Sequence, residues 1–410
     1  MLIIKKKTIK FGCQRYNKGM IFSNIFQKKI FFIFLSYLCG MIFSKKISDI
    51  IERKDFTEDN ISFLLGLEEP DRQILQQYAH AEHIKYHGDM VFFRGLVEIS
   101  NICSKDCFYC GIRKSNKCIK RYELDLKEIM EAVNFADEHN FGSVVFQSGE
   151  RSNDVFIKKI DKLLRAVKEE THGELGITLS LGEQTEKTYR RWFDSGAHRY
   201  LLRIETSNRE LFTKIHPQND AHSFDKRLEC LKLLKKTGYQ TGTGVMIGLP
   251  EQTLNDLAND ILFFKEMDID MVGMGPYIEH KDTPLFAKNY LLQPIQKRFE
   301  TALNMIAVTR LVLPDINIAS ATALQAINPF GRELALQWGA NIIMPNITPT
   351  ENRKNYQLYK DKPGIYEGAE ETITGLLARI EKAGKKAAFG EWGDSKHYFN
   401  RSEVNFDNIF

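Results

Sequence analysis

The sequence predicts a single (β/α)8 barrel of the TIM type with an N-terminal helical cap. Three observations carry this. Eight short apolar runs alternate with longer amphipathic stretches over about 300 residues, the mark of βα units on a parallel sheet. No internal repeat or low-complexity linker divides them. The residues able to do chemistry fall at the C-terminal ends of the runs, where barrels of this kind keep their sites.

Composition sets the frame. The 410 residues are 43% hydrophobic and 27% charged, which suits a folded soluble chain and argues against extensive disorder. The net charge of +4 is deceptive. Ten Lys and Arg residues and no acid precede Asp49, so the remainder carries about −6, and the body shows no nucleic-acid footprint. Residues 1–47 form this basic leader. It includes an apolar run, Ile30–Phe43, flanked by Lys28-Lys29 and Lys45-Lys46. Spanning a membrane takes about 20 residues. Three readings stand: a targeting peptide, a membrane anchor, or translation that starts at Met20 or Met41. The expected location is cytoplasmic, or a hydrogenosome or mitochondrion-like organelle if the leader is a targeting peptide.

Residues 48–90 are expected to form the cap, from helices over Ser48–Gly66 and Pro70–His87. Residues 91–390 hold the barrel and 391–410 a C-terminal tail. The predicted strands are Val91–Ser100, Ser143–Ser148, Leu175–Leu181, Tyr200–Glu205, Thr241–Gly248, Met271–Tyr277, Ile316–Ser320 and Ala340–Pro345. Helices are expected over Asp125–Asn140, Asn153–Glu170, Glu183–Ser195, Ser223–Thr237, Leu254–Met267 and Ile295–Leu313. Asp125 and Ser223 read as N-caps, and Gly142 and Gly238 as helix stops.

Four of the seven cysteines crowd into sixteen residues, and none follows Cys230. This argues against a disulfide framework and for metal ligation in a reducing compartment. Cys103-Ser-Lys-Asp-Cys107-Phe-Tyr-Cys110 directly follows the first strand. Three thiolates hold three irons of a 4Fe–4S cubane and leave the fourth iron open to an exogenous chelate. The competing reading is structural zinc with Cys118 or a distant His as fourth ligand, but such sites usually pair two knuckles. Cys118 reads as a non-ligand, Cys230 as core, and Cys13 and Cys39 belong to the leader.

Other motifs end later strands. In Ser148-Gly149-Glu150 a glycine allows close backbone approach and a carboxylate suits an ammonium group. Glu183 ends Ser180-Leu-Gly-Glu183, where it also suits a helix N-terminus. Arg203 and Glu205 share a strand face, and if that face is the barrel interior they should be paired or bind something. The fifth strand, Thr241–Gly248 with Met246, is glycine-rich, which is unfavourable unless something approaches closely. Its G-x-G spacing does not fit a dinucleotide fingerprint. His280 reads as a surface loop histidine.

C-x3-C-x2-C with an aromatic before the last cysteine resembles the signature of the radical S-adenosylmethionine (SAM) superfamily. The stretches VEISNICSKDCFYCGIR, FQSGE, ITLSLGE, RYLLRIET, GTGVMIGLPEQT, DMVGMGPYIEHKDTPL, GRELALQWGANIIMPNITP and YQLY are similar to those of the HydE-type FeFe-hydrogenase maturases. The resemblance runs from about Met41 to the end. It implies a complete barrel, one 4Fe–4S cluster on Cys103, Cys107 and Cys110, and SAM cleaved to a 5′-deoxyadenosyl radical. It implies SAM contacts at Ser148 and Glu150, Glu183, Arg203, Glu205 (ribose), Arg227 (carboxylate) and Met246, with the backbone around Met274 and Tyr277 as a further candidate for adenine contact. Thr322 and Met344–Thr348 would line a substrate cavity. The implied partners are a small organometallic iron–cysteine substrate, the other hydrogenase maturases and an electron donor such as ferredoxin. A second cluster of the three-cysteine type has no ligands after Cys230. The alternatives are a methylornithine synthase-like lysine mutase, a biotin synthase-like enzyme and a non-catalytic, metal-stabilised barrel.

Overall fold

Eight parallel strands close into a ring in a computed structural model that describes residues 44–407 except 367. They are β1 (Met90–Ser100), β2 (Ser143–Ser148), β3 (Gly176–Ser180), β4 (Arg199–Leu201), β5 (Gln240–Thr243), β6 (Met271–Pro276), β7 (Asn317–Ser320) and β8 (Ile342–Ile343). Each pairs with the next, and β8 closes on β1 through Phe92↔Ile342 and Phe93↔Ile343. The predicted barrel is thus present. The chain divides into residues 1–49 and the body, Ile50–Phe410. Most of the predicted leader, with Ile30–Phe43, Cys13 and Cys39, lies outside the described residues. No described helix is long and apolar enough to cross a membrane.

Local chemistry sets the helix starts. Asp125 caps Leu126–Glu138 in a capping box with Glu128, and Ser223 caps Phe224–Thr237. Gly238 ends that helix in the left-handed region at φ 104°. Gly142 is not a helix stop, because its helix ends at Glu138. A Cβ at Gly142 would lie 1.6 Å from the Glu391 carbonyl, so the glycine admits the C-terminal chain instead.

Several elements differ from expectation in extent. The segment expected as one helix over Ser48–Gly66 is broken at 53–57, and Glu58–Leu65 starts afresh at the Thr57 cap. Glu58–Leu65 packs on Leu254–Glu266 and Asp71–His87 on Ile295–Val312, so these helices cover the barrel wall. The helix expected from Glu183 begins at Glu186, capped by Thr185, which leaves Glu183 in the loop. Regular pairing of β4 ends at Leu201, and β5 is interrupted before Met246–Ile247.

The opposite, N-terminal end of the barrel is plugged. Lys386–Ala388 pairs with the start of β1. Beyond it, the Gly393 carbonyl accepts from Arg94 Nη2 (2.9 Å) and Asn317 Nδ2 (2.8 Å), and the Trp392 carbonyl from Arg199 Nη1 (2.9 Å). Asp394 pairs with Arg199, and Ser395 N donates to Gln240 Oε1 at 3.0 Å. The backbone carbonyls of Trp392 and Gly393 and the Asp394 carboxylate thereby partner two buried guanidinium groups, leaving Arg94 Nε and Arg199 Nη2 without a hydrogen bond among the described residues.

Candidate functional site

The three cysteines follow β1 at the C-terminal mouth, and their loop is tied to four neighbouring segments. Ser104 donates from N and Oγ to the Glu150 carbonyl, both at 2.8 Å. Phe108 N donates to Ile215 O (3.0 Å), Gly111 N to Leu358 O (2.9 Å) and Asp106 N to His222 Nε2 (2.8 Å). Cys103 Sγ accepts from the amides of Lys105 (3.4 Å) and Glu150 (3.3 Å).

The aromatic before the last cysteine is also fixed. His216 Nδ1 donates to the Phe212 carbonyl at 2.9 Å, so Nε2 accepts from Tyr109 OH at 3.2 Å. Burial and then the nearby Arg227 push this imidazole down to about 3, which keeps it neutral.

All three thiols are free and partly buried. Burial pushes Cys107 up to about 12 and raises Cys103 and Cys110 as well. Thiols this reluctant to ionise need positive charge against the sulfurs, which coordination to iron supplies. Among the described residues no three His, Cys, Asp or Glu side chains converge on one metal ion. A cubane makes no such demand, because each thiolate binds its own iron. The residues present therefore fit an iron–sulfur cluster.

A chain of charged side chains, most of them buried, runs from the cysteine loop across the ends of the neighbouring strands. Lys105 Nζ pairs with Glu150 (3.0 Å) and Glu183 (2.8 Å) and donates to the Ala221 carbonyl. Arg227 donates from Nε to Glu183 (2.6 Å) and from Nη1 to the Arg203 carbonyl (2.6 Å). Arg203 Nε meets both Glu205 oxygens, at 3.1 and 3.0 Å, and its terminal nitrogens donate to the carbonyls of Val245 and Gly273. Two cations and two carboxylates thus meet around Glu183. Burial and Glu183 together raise the Glu150 carboxyl; at Glu183 burial is outweighed by Arg227 and Lys105, which hold it low.

Glu150, Glu183, Arg203, Glu205 and Arg227 are therefore linked through this chain of contacts. Glu205 takes the left-handed region at φ +70°, uncommon for a non-glycine residue. Met246 packs with Phe108 and Tyr109 on the cluster of Leu211, Ile215, Leu249, Tyr277 and Leu285, beneath the cysteine loop. Ser148 Oγ instead donates to the Gly149 carbonyl of its own turn, at 2.7 Å. The close approach anticipated at the glycine-rich strand is real: a Cβ on Gly244 would sit 1.8 Å from the Gly273 carbonyl.

His280 is buried, not at the surface, and its ring packs on Gly111 beside Cys110. The Met274 sulfur lies 3.9 Å from Thr309 Oγ1 on the helix Ile295–Val312. Thr322 Oγ1 meets Tyr359 OH at 2.8 Å, and Asn346 Nδ2 donates to Glu98 at 3.2 Å. Sequence reasoning missed Lys105, whose charge between two cysteines is the only signal. It also missed the buried pair of Lys362 and Glu98, where the sole hint is an acid inside a strand.

The Radical SAM superfamily model matches residues 97–264. The [FeFe] hydrogenase maturase subunit HydE of Thermotoga maritima is 41% identical over 87% of this chain and 98% of its own. The 3-methylornithine synthase of Methanosarcina barkeri is 28% identical over 83% and 92%. The crystal structure of methylornithine synthase (PylB) superposes with a TM-score of 0.71 at 23% identity, covering 89% of this chain and 100% of that one.

Proposed function

The chain belongs to the HydE maturases of the radical SAM superfamily, and from that premise we propose which of its residues do the work. Cys103, Cys107 and Cys110 hold one 4Fe–4S cluster. When bound, it supplies the electron that splits SAM into methionine and a 5′-deoxyadenosyl radical. The reaction serves maturation of the di-iron subcluster of FeFe hydrogenase, on a small organometallic iron–cysteine substrate, alongside the other maturases and an electron donor.

The observation that carries the residue assignment is the chain of paired charges that starts at Lys105 in the cysteine loop and reaches Glu205. Arg227 commits Nε and Nη1 to protein and makes no described hydrogen bond from Nη2, which suits the SAM carboxylate. Glu150 and the Ser148–Gly149 turn suit the ammonium group. Glu205, held by Arg203, keeps acceptor lone pairs for ribose hydroxyls. Glu183 fixes the direction of Arg227, and Met246 offers an apolar seat for adenine.

Anaerobic reconstitution followed by dithionite and SAM tests this. The expected outcome is about four irons per chain and formation of 5′-deoxyadenosine. An intact cluster that yields no 5′-deoxyadenosine would overturn the reading. The lysine mutase alternative, supported by the methylornithine synthase likeness, predicts conversion of lysine by the same sample.

A further inference from the structure

We propose that the exposed lysines of the loop after Cys110 form the docking platform for a small acidic electron-carrier protein. The inference rests on the cluster assignment above, and it starts from charge. Between Cys107 and Tyr122 lie five basic residues and no acid. Two of them are spent inside the loop. Arg121 donates to the carbonyls of Asn101 (2.6 Å), Ile112 (2.8 Å), Arg113 (2.6 Å) and Asn116 (3.1 Å). Arg113 pairs with Asp106 at 2.9 Å. The other three, Lys114, Lys117 and Lys120, are exposed and make no ion pair among the described residues. The acid that follows, Glu123, is already held by Arg151 (2.9 Å) and Lys159 (2.8 Å).

The loop is firmly built. Besides the Arg121 fan, Lys114 N donates to Lys105 O (2.8 Å), Asn116 Nδ2 to Gly111 O (2.6 Å) and Asn101 Nδ2 to Lys120 O (2.8 Å). The same Asn101 amide donates to Asn355 O at 2.7 Å, which brings exposed Lys354 to this edge; one exposed acid, Glu351, shares that segment. Three uncompensated charges on a braced loop cost little further ordering on binding, and such preorganised fields steer association.

The place of the platform identifies the partner. It begins within a few residues of the last thiolate, while the cysteines are only partly exposed. Reduction transfers one electron from a reduced carrier, which is oxidised by one, to the cluster, so the carrier's redox centre must come close to this edge. The rest of the chain is net negative, about −6 outside the leader, which disfavours a long polyanion but leaves room for a compact acidic protein with one matching face.

The test uses the reconstituted full chain and a reduced, acidic 2Fe–2S ferredoxin as probe, with cluster reduction followed by stopped flow. Lys114→Glu/Lys117→Glu/Lys120→Glu should slow the second-order step about tenfold or more at low salt. The difference should shrink at high salt. Reduction by dithionite should be unchanged. The same reversal on the outer helices, Lys162→Glu/Lys187→Glu/Lys232→Glu, should leave the rate alone. An unchanged rate in the loop variant, equal slowing in the outer-helix variant, or a loop variant that loses only nucleic-acid binding would each overturn the platform. A wild-type sample that dithionite cannot reduce would instead overturn the cluster assignment.

Discussion

Lys105 shows how much one side chain can decide at this site. Its three ammonium donors are all committed, to Glu150, Glu183 and the Ala221 carbonyl. It therefore bolts the cysteine loop to the ends of β2 and β3 and offsets the repulsion between two buried carboxylates. Removing one partner of a buried charge pair typically costs about 3–5 kcal/mol, because the other charge is left stranded. Lys105→Met should accordingly lower the Tm of the metal-free protein by several degrees. Lys105→Met/Glu150→Gln should recover most of the loss, since it removes the stranded charge. Calorimetric melts of the two variants check this, and equal losses in both would sink the bolt.

At the scale of elements, the helix Leu254–Glu266 sets the backbone that presents Glu205. Asp260, fully buried on that helix, accepts from both N and Oγ of Ser207, each at 2.6 Å. Asp256 accepts from Asn208 Nδ2 at 2.7 Å. Together they fasten the turn that follows Glu205, whose left-handed φ would otherwise relax. Burial pushes the Asp260 carboxyl up to about 7, with Asp256 adding repulsion. An unfolded aspartate titrates near 3.9, so between about pH 4 and 7 the folded state holds the proton more tightly. The stability from this group is thus complete below pH 4 and lost as pH rises to about 7. A tenfold difference in proton affinity is worth about 1.4 kcal/mol, so the whole span amounts to a few kcal/mol. Asp260→Asn should flatten that part of the Tm–pH curve, and an identical slope in both proteins would refute the assignment.

For the whole molecule, the barrel needs its C-terminal segment. Residues 391–395 fill the base and supply hydrogen-bond partners to Arg94, Arg199, Asn317 and Gln240. A chain that stops after Gly390 leaves two fully buried guanidinium groups without these partners, a cost of at least about 3–5 kcal/mol. It should be insoluble or melt well below the full chain, whereas Asp394→Asn should show a smaller loss. A soluble truncation with the full-length Tm would show that the plug is dispensable.

What the sequence determined by itself is whatever short-range patterning encodes. The order of eight strands follows from alternating apolar and amphipathic stretches, the caps at Asp125 and Ser223 from side chains next to their own helices, and the cluster motif from three cysteines within eight residues. Arg203 and Glu205 do pair, but not across the strand face expected of them: the strand ends at Leu201 and Glu205 is left-handed at φ +70°. Tertiary structure alone decided the rest. Lys105 meets Glu183 across 78 residues, Arg227 meets Glu183 across 44, and Asp394 meets Arg199 across 195. The burial of His280 against Gly111 is of the same kind. Such contacts exist only once the sheet has closed on itself, because closure brings the ends of different strands to one mouth and one base. Local periodicity carries no record of which of those ends will face each other.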